Sequence, residues 1–144
     1  MPEEILNKEG SLTDEEWRQI RRHPVEGGRI LMDSGDHFRL AAAVAYEHHL
    51  DADGGGYPEL HWPRPPCETA QLVQICDLYD ALRSARPYRS ALPPERVQEV
   101  FREERRSSLS PVFVDAFLEM VQRWDPEEHL RELPPEDPEA VFRS

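Results

Sequence analysis

A chain of 144 residues fits one domain of ordinary size, and its 38% hydrophobic and 32% charged residues supply one core without excess. The formal net charge of −12 argues against broad binding to DNA, RNA or an anionic membrane, each of which needs a basic face. A small phosphorylated ligand held by a few local arginines stays compatible with that balance.

No run approaches the roughly 20 apolar residues of a membrane span. Met1 leads straight into Pro2-Glu3-Glu4 rather than into a charged-then-apolar leader, so the expected location is the cytoplasm. Cys67 and Cys76 lack the paired spacing of a zinc knuckle and are too few for a disulfide framework, so both are read as reduced thiols, Cys76 packed in a helix.

In chain order, residues 1–12 read as extended or loop-like. Thr13-Asp14-Glu15-Glu16 has the Thr-x-x-Glu form of a capping box and starts a helix whose inner face carries Trp17, Ile20 and Arg21. His23-Pro24 interrupts it, because proline disfavours helix in the residue before it and sits well at a helix start. A second helix is predicted over Pro24–Met32 and a third over His37–Leu50. In the third, Ala41-Ala42-Ala43-Val44-Ala45 permits close approach of a neighbouring helix.

Residues 51–67 form a long loop with Gly54, Gly55, Gly56 and several prolines, a length that points to function. Helices follow over 68–84, 94–106 and 111–124. No apolar–polar alternation competes, so the fold class is all-α. The expected organisation is one helical domain over residues 1–124 and an acidic, proline-rich tail over 125–144.

Chemistry concentrates in three places. Within 69–84, apolar residues surround nearly the whole helix, yet Asp77 and Asp80 lie three residues apart on one face. Buried carboxylates there need a cation or a donor network. Otherwise Gln74, Asp77, Asp80 and Ser84 make a solvated stripe. His48-His49 is a candidate pair of metal ligands, although neighbours on a helix point about 100° apart. His23 sits at a proline-marked helix junction. His37, His61 and His129 are background.

Taken with the loop, these residues become specific. His48-His49-Leu50-Asp51-Ala52-Asp53-Gly54-Gly55-Gly56-Tyr57-Pro58 resembles the His-His-Glu-x-x-Asp-Gly-x-Gly-Tyr-Pro signature of the HD-GYP family of metal-dependent phosphohydrolases. Leu12–Trp17 and Arg22-His23-Pro24 resemble the stretch before it. Asp77-Leu78-Tyr79-Asp80-Ala81-Leu82 and Arg86-Pro87-Tyr88-Arg89 resemble the stretch after it.

The resemblance implies an HD-type helical bundle holding divalent metal ions, often iron or manganese, and hydrolysis of cyclic di-GMP or a related cyclic dinucleotide. It implies His23, His48, His49 and Asp77 as metal ligands and Asp80 as a further acidic group near the chemistry. Gly56, Tyr57, Pro58, Arg86 and Arg89 are implied at the nucleotide, with the Gly-Tyr-Pro loop also linked to partner contacts.

Two departures stand out. The family's His-Asp pair, expected before the segment that begins at Met1, occurs nowhere in the chain, and Leu50 replaces the glutamate after the histidines. The bundle is therefore expected to be N-terminally incomplete and turnover by this chain alone impaired. The alternative is a catalytically inactive module that binds a cyclic dinucleotide or a signalling protein. Apolar surface on residues 37–50 and 69–84 is expected to lie exposed and to favour a protein partner or a homodimer.

Overall fold

The computed structural model of the chain describes residues 3–6, 8, 10–62, 64–85, 90–104 and 108–123. Arg86, Arg89 and the acidic tail lie outside the described residues.

The helices come in the predicted order, with instructive differences at their ends. A short helix α1 (Glu3–Leu6) forms inside the segment read as loop. Helix α2 (Asp14–Ile20) starts on the Thr13 capping box: the Thr13 hydroxyl accepts from the Glu16 N–H, and the Glu16 carboxylate accepts from the Thr13 N–H at 2.7 Å. It buries none of its residues. Trp17 is 44% exposed, so the face read as inward is only partly covered. The turn at Arg21-Arg22 leads into α3 (His23–Asp33), with Pro24 in its first turn, where a missing N–H costs nothing.

A 3₁₀ turn (Asp36–Phe38) then opens α4 (Arg39–Glu47), which stops one residue before His48. The predicted helix continued to Leu50. Instead the Leu50 N–H bonds back to the Glu47 carbonyl at 2.8 Å, Leu50 bridges to Gly56, and the Leu50 side chain is buried to 1% exposure. Burying Leu50 in a tight turn outweighs one more helical turn.

After the loop come α5 (Glu68–Arg83), α6 (Pro94–Glu99) and α7 (Pro111–Arg123). The segment predicted as one helix over 94–106 is α6 widened into a π turn over Val100–Glu104. Among the described residues no strand forms, and the chain is all-α.

The aliphatic and aromatic core lies in the C-terminal half. Ile75 and Leu82 of α5 pack with Val97, Phe101, Leu109, Val114 and Leu118, and Phe117 meets both Tyr79 and Phe101. The N-terminal half is held differently. Helices α3 and α4 pack antiparallel at such close range that a Cβ on Gly28 would lie 3.2 Å from the Tyr46 Cβ and 3.3 Å from the Ala42 carbonyl. Small residues on both helices permit that approach, as the alanine run of α4 predicts.

The antiparallel pairing brings the start of α3 and the end of α4 to the same end of the hairpin. Helix α5 crosses α4 with one side turned away from the core. There Leu72, Val73, Cys76, Asp77 and Asp80 are exposed, whereas Gln74 is buried. The solvated-stripe reading therefore holds for the two aspartates and fails for Gln74, and Cys76 is not packed away.

Candidate metal centre

His23 begins α3, His48 caps the C-terminus of α4, and His49 follows in the turn. Because His48 and His49 have left the helix, the 100° divergence of helical neighbours does not apply to them. Their ring centroids lie 4.1 Å apart, and His23 lies 5.1 Å from His48 and 4.9 Å from His49. One ring nitrogen from each of the three falls within 4.8 Å of the other two.

Backbone carbonyls set the tautomers. The Ile20 carbonyl lies 2.8 Å from Nδ1 of His23, and the Ala45 carbonyl lies 2.9 Å from Nδ1 of His48. A carbonyl only accepts, so each Nδ1 is the donor, and in the neutral ring each Nε2 carries a lone pair. Those two Nε2 atoms face each other at 3.1 Å.

Two neutral rings place two lone pairs at that distance, an arrangement relieved by a shared proton or by a metal cation. Nitrogens each about 2.1 Å from one ion stand roughly 3 Å apart at octahedral angles and about 3.4 Å apart at tetrahedral ones. Orientation by a carbonyl on the far nitrogen is the usual support of a ligating imidazole. Burial, together with the neighbouring rings His48 and His23, pushes the His49 pKa down to about 4. Burial also lowers that of His48, against the pull of the Ala45 carbonyl. These rings are neutral at physiological pH, the state that binds metal. The three residues fit a divalent ion.

The loop closes over them. Gly56, at a φ of +79°, pairs with Leu50, and the Tyr57 N–H donates to the His49 carbonyl at 3.0 Å. A Cβ at Gly56 would sit 2.1 Å from that same carbonyl, so only glycine fits there. Tyr57 then stacks on His49 at 4.5 Å, and the Tyr57–Pro58 peptide is cis. Burial raises the Tyr57 pKa, so its hydroxyl stays protonated.

The acidic candidates stand further off. Asp77 is exposed on α5. Its charge acts on both His48 and Tyr57, yet its carboxylate falls outside the group formed by the three imidazoles. Asp80, also exposed, accepts a hydrogen bond from the Ser84 hydroxyl of its own helix at 3.2 Å. Beside His48, an apolar groove of about 610 Å³ runs between α4 and α5, lined by Leu40, Val44, Thr69 and Val73.

Three further residues escape the reading of motifs. The buried Glu47 carboxylate accepts from the Arg64 guanidinium and, at 2.7 Å, from the Cys67 N–H, tying both ends of the loop together. Arg21 lies across the ring of Tyr57, with its guanidinium carbon 5.6 Å from the centroid and 5.8 Å from that of Trp17. The i, i+4 spacing of Trp17 and Arg21 is the sequence signal that places those two on one face.

A family model described as HD domain matches residues 1–110. A cyclic di-GMP phosphodiesterase of Pseudomonas aeruginosa is 42% identical over 89 residues, which cover 62% of this chain and 22% of that protein. The cyclic di-GMP phosphodiesterase response regulator RpfG of Xanthomonas campestris is 37% identical over 120 residues, covering 82% of this chain and 32% of the relative. A cyclic di-GMP phosphodiesterase of Thermotoga maritima is 37% identical over 124 residues, 83% of this chain and 33% of its own. The chain spans a third or less of the length of these relatives. With three clustered imidazoles under a Gly-Tyr-Pro loop, the chain belongs to the HD-domain family, among its HD-GYP members.

Proposed function

We propose that His23, His48 and His49 hold a divalent metal ion, iron or manganese by family resemblance, and that the site serves hydrolysis of a phosphodiester bond in cyclic di-GMP. One observation carries the metal: a ring nitrogen from each of His23, His48 and His49 lies within 4.8 Å of the other two, with the Nε2 atoms of His23 and His48 facing each other at 3.1 Å and backbone carbonyls beside their Nδ1 atoms. The substrate is proposed from the printed activities of the relatives.

A bound ion of this kind acidifies water and neutralises charge that builds on phosphoryl oxygens. The residues of this chain do the rest. The hairpin of α3 and α4 orients two imidazoles, and the Tyr57 ring covers His49 from water. Asp77, whose charge already reaches His48, is the fourth ligand in our reading, and Asp80 supports the acidic side of the site. Gly56, Tyr57, Pro58, Arg86 and Arg89 border the nucleotide.

A second reading, binding of the dinucleotide or of a signalling protein without turnover, rests on a specific observation. Among the described residues no carboxylate joins the three imidazoles, so the cluster lacks a bridge for a second ion. That reading expects ligand binding without turnover, whereas the metal-site reading expects binding that needs the ion. The exposed groove between α4 and α5 is the face on which a protein partner or a second copy would pack.

The test is calorimetry with cyclic di-GMP on chelator-treated protein, before and after addition of manganese or ferrous iron, with chromatography of the products. Binding that needs the ion and is lost in His23→Ala and His49→Ala supports the metal site. Binding indifferent to chelator and to both substitutions replaces it with the metal-free module.

A further inference from the structure

Cyclic di-GMP brings negative phosphates to a chain whose own formal charge is −12, and the charge of Asp77 already reaches His48 and Tyr57. A phosphate settling beside the cluster needs a cation there in addition to any metal. Arginines on the nearby segments are mostly committed: Arg18 pairs with Glu15, Arg22 with Glu26 and Arg64 with Glu47.

Arg21 is different. Among the described residues its guanidinium makes no ion pair or hydrogen bond. It packs against the rings of Trp17 and Tyr57, within the about 6 Å range of a cation–π contact. Ring contacts leave all five of its N–H donors unspent. The Arg21 N–H bonds to the Trp17 carbonyl at 2.9 Å, and His23 begins α3 only two residues on, so the backbone beneath the side chain is anchored to the site. Tyr57 itself stacks on His49 at 4.5 Å. Tyr57 is therefore a neighbour shared by the guanidinium and the imidazole cluster.

We propose that Arg21, held by Trp17 and Tyr57, is a phosphate-binding residue of this site. It forks onto a non-bridging oxygen pair of the cyclic dinucleotide while the imidazole cluster engages the same ligand. The assignment rests on the dinucleotide reading given above. It gives Tyr57 a second task, since its ring both covers His49 and holds the arginine. Lysine would not substitute, because an ammonium cannot offer two parallel N–H groups to a phosphate.

The experiment compares wild type, Arg21→Ala, Arg21→Lys and Arg29→Ala. Arg29 is an exposed α3 residue serving as a charge control. Manganese affinity is measured first, then calorimetric binding of cyclic di-GMP and, separately, of inorganic phosphate to the manganese-loaded chain. Arg21→Ala is expected to weaken dinucleotide binding by about 10- to 100-fold, the worth of a charge-assisted bidentate contact, with manganese affinity unchanged. Arg21→Lys should recover only part of the loss, and Arg29→Ala should match wild type.

Wild-type affinity in Arg21→Ala, where the wild type binds the dinucleotide in a metal-dependent way, overturns the Arg21 assignment and leaves the proposed function standing. Failure of the wild type to bind the dinucleotide at all removes that function, and the phosphate arm then decides. Phosphate binding weaker in Arg21→Ala upholds the anion site. Equal or absent phosphate binding in both overturns it. A loss as large in Arg29→Ala also overturns it, because net charge alone would then account for the effect.

Discussion

Glu47 provides the most direct measure of how the loop is held over the imidazoles. Its carboxylate is 5% exposed and accepts from the Arg64 guanidinium and the Cys67 N–H. Cys67 is the N-cap of α5, and its own side chain makes no capping bond. The carboxylate therefore also lies near the positive end of that helix.

Glu47→Ala leaves the Cys67 N–H without its partner and removes two charge-assisted bonds. An effect of about 2–4 kcal/mol follows, most of it from the backbone donor. Arg64→Ala keeps the Cys67 bond but leaves the buried Glu47 carboxylate without its cation; because Arg64 is 54% exposed, water can enter the gap, so the cost should be about 1–2 kcal/mol, less than that of Glu47→Ala. Glu47→Gln keeps the shape and one acceptor and should fall between wild type and Glu47→Ala, at about 1–2 kcal/mol.

Acid provides an independent check. Burial raises the Glu47 pKa, but the bonds from Arg64 and Cys67 outweigh it and hold the value below the usual 4.5. A depressed folded pKa means the stabilisation is complete above the unfolded value and fades as the pH drops through the folded one. The gap between wild type and Glu47→Gln should therefore close on acidification below pH 4.5. Urea denaturation followed by circular dichroism at neutral and acid pH reads both effects. If Glu47→Ala unfolds within about 0.5 kcal/mol of wild type, or Arg64→Ala costs as much as Glu47→Ala, this account of the loop is wrong.

Gly56→Ala should separate loop geometry from the stability of the core. With φ at +79° and the new Cβ 2.1 Å from the His49 carbonyl, the Tyr57–His49 pairing must break. We expect at least about 2 kcal/mol of destabilisation and weaker metal binding, read by thermal melting and manganese titration, and unchanged values in both would refute the fit. Glu16, which accepts from Lys8 and from the Thr13 N–H, has its pKa lowered to about 2. Its contribution to α2 should therefore persist above the ordinary carboxylate value and vanish as the pH falls towards 2. The Thr13 amide resonance should follow that titration, and Glu16→Gln should abolish it. A wild-type resonance that titrates near 4.5 would contradict the geometry.

Legibility followed the range of the interaction concerned. Thr13-x-x-Glu16 and His23-Pro24 act within one turn, and both mark helix starts where expected. The end of α4 was misplaced because it depends on Leu50 reaching the interior and pairing with Gly56, partners that helix propensity does not include. That same ending brings the rings of His48 and His49 together, an arrangement the 100° spacing of helical neighbours does not predict. For Asp77 and Asp80 the sequence leaves two readings open, buried carboxylates among apolar residues or a solvated stripe. The structure leaves that side of α5 open, and local periodicity cannot say which faces of a helix find a neighbour. Glu47 and Arg64 went unread because a contact across a loop has no local spacing to betray it.

The close seam between α3 and α4 has a practical consequence. Two facing imidazoles sit at one mouth of this hairpin, while the chain reverses at the other, between Asp33 and Arg39. Separation at the mouth is governed by the glycines and alanines along the seam and not by the length of the reversal. Extra residues grafted at Ser34-Gly35 would lengthen the far bend without widening the jaws. That bend is a suitable place to attach a label or a linker without disturbing the imidazoles at the opposite end.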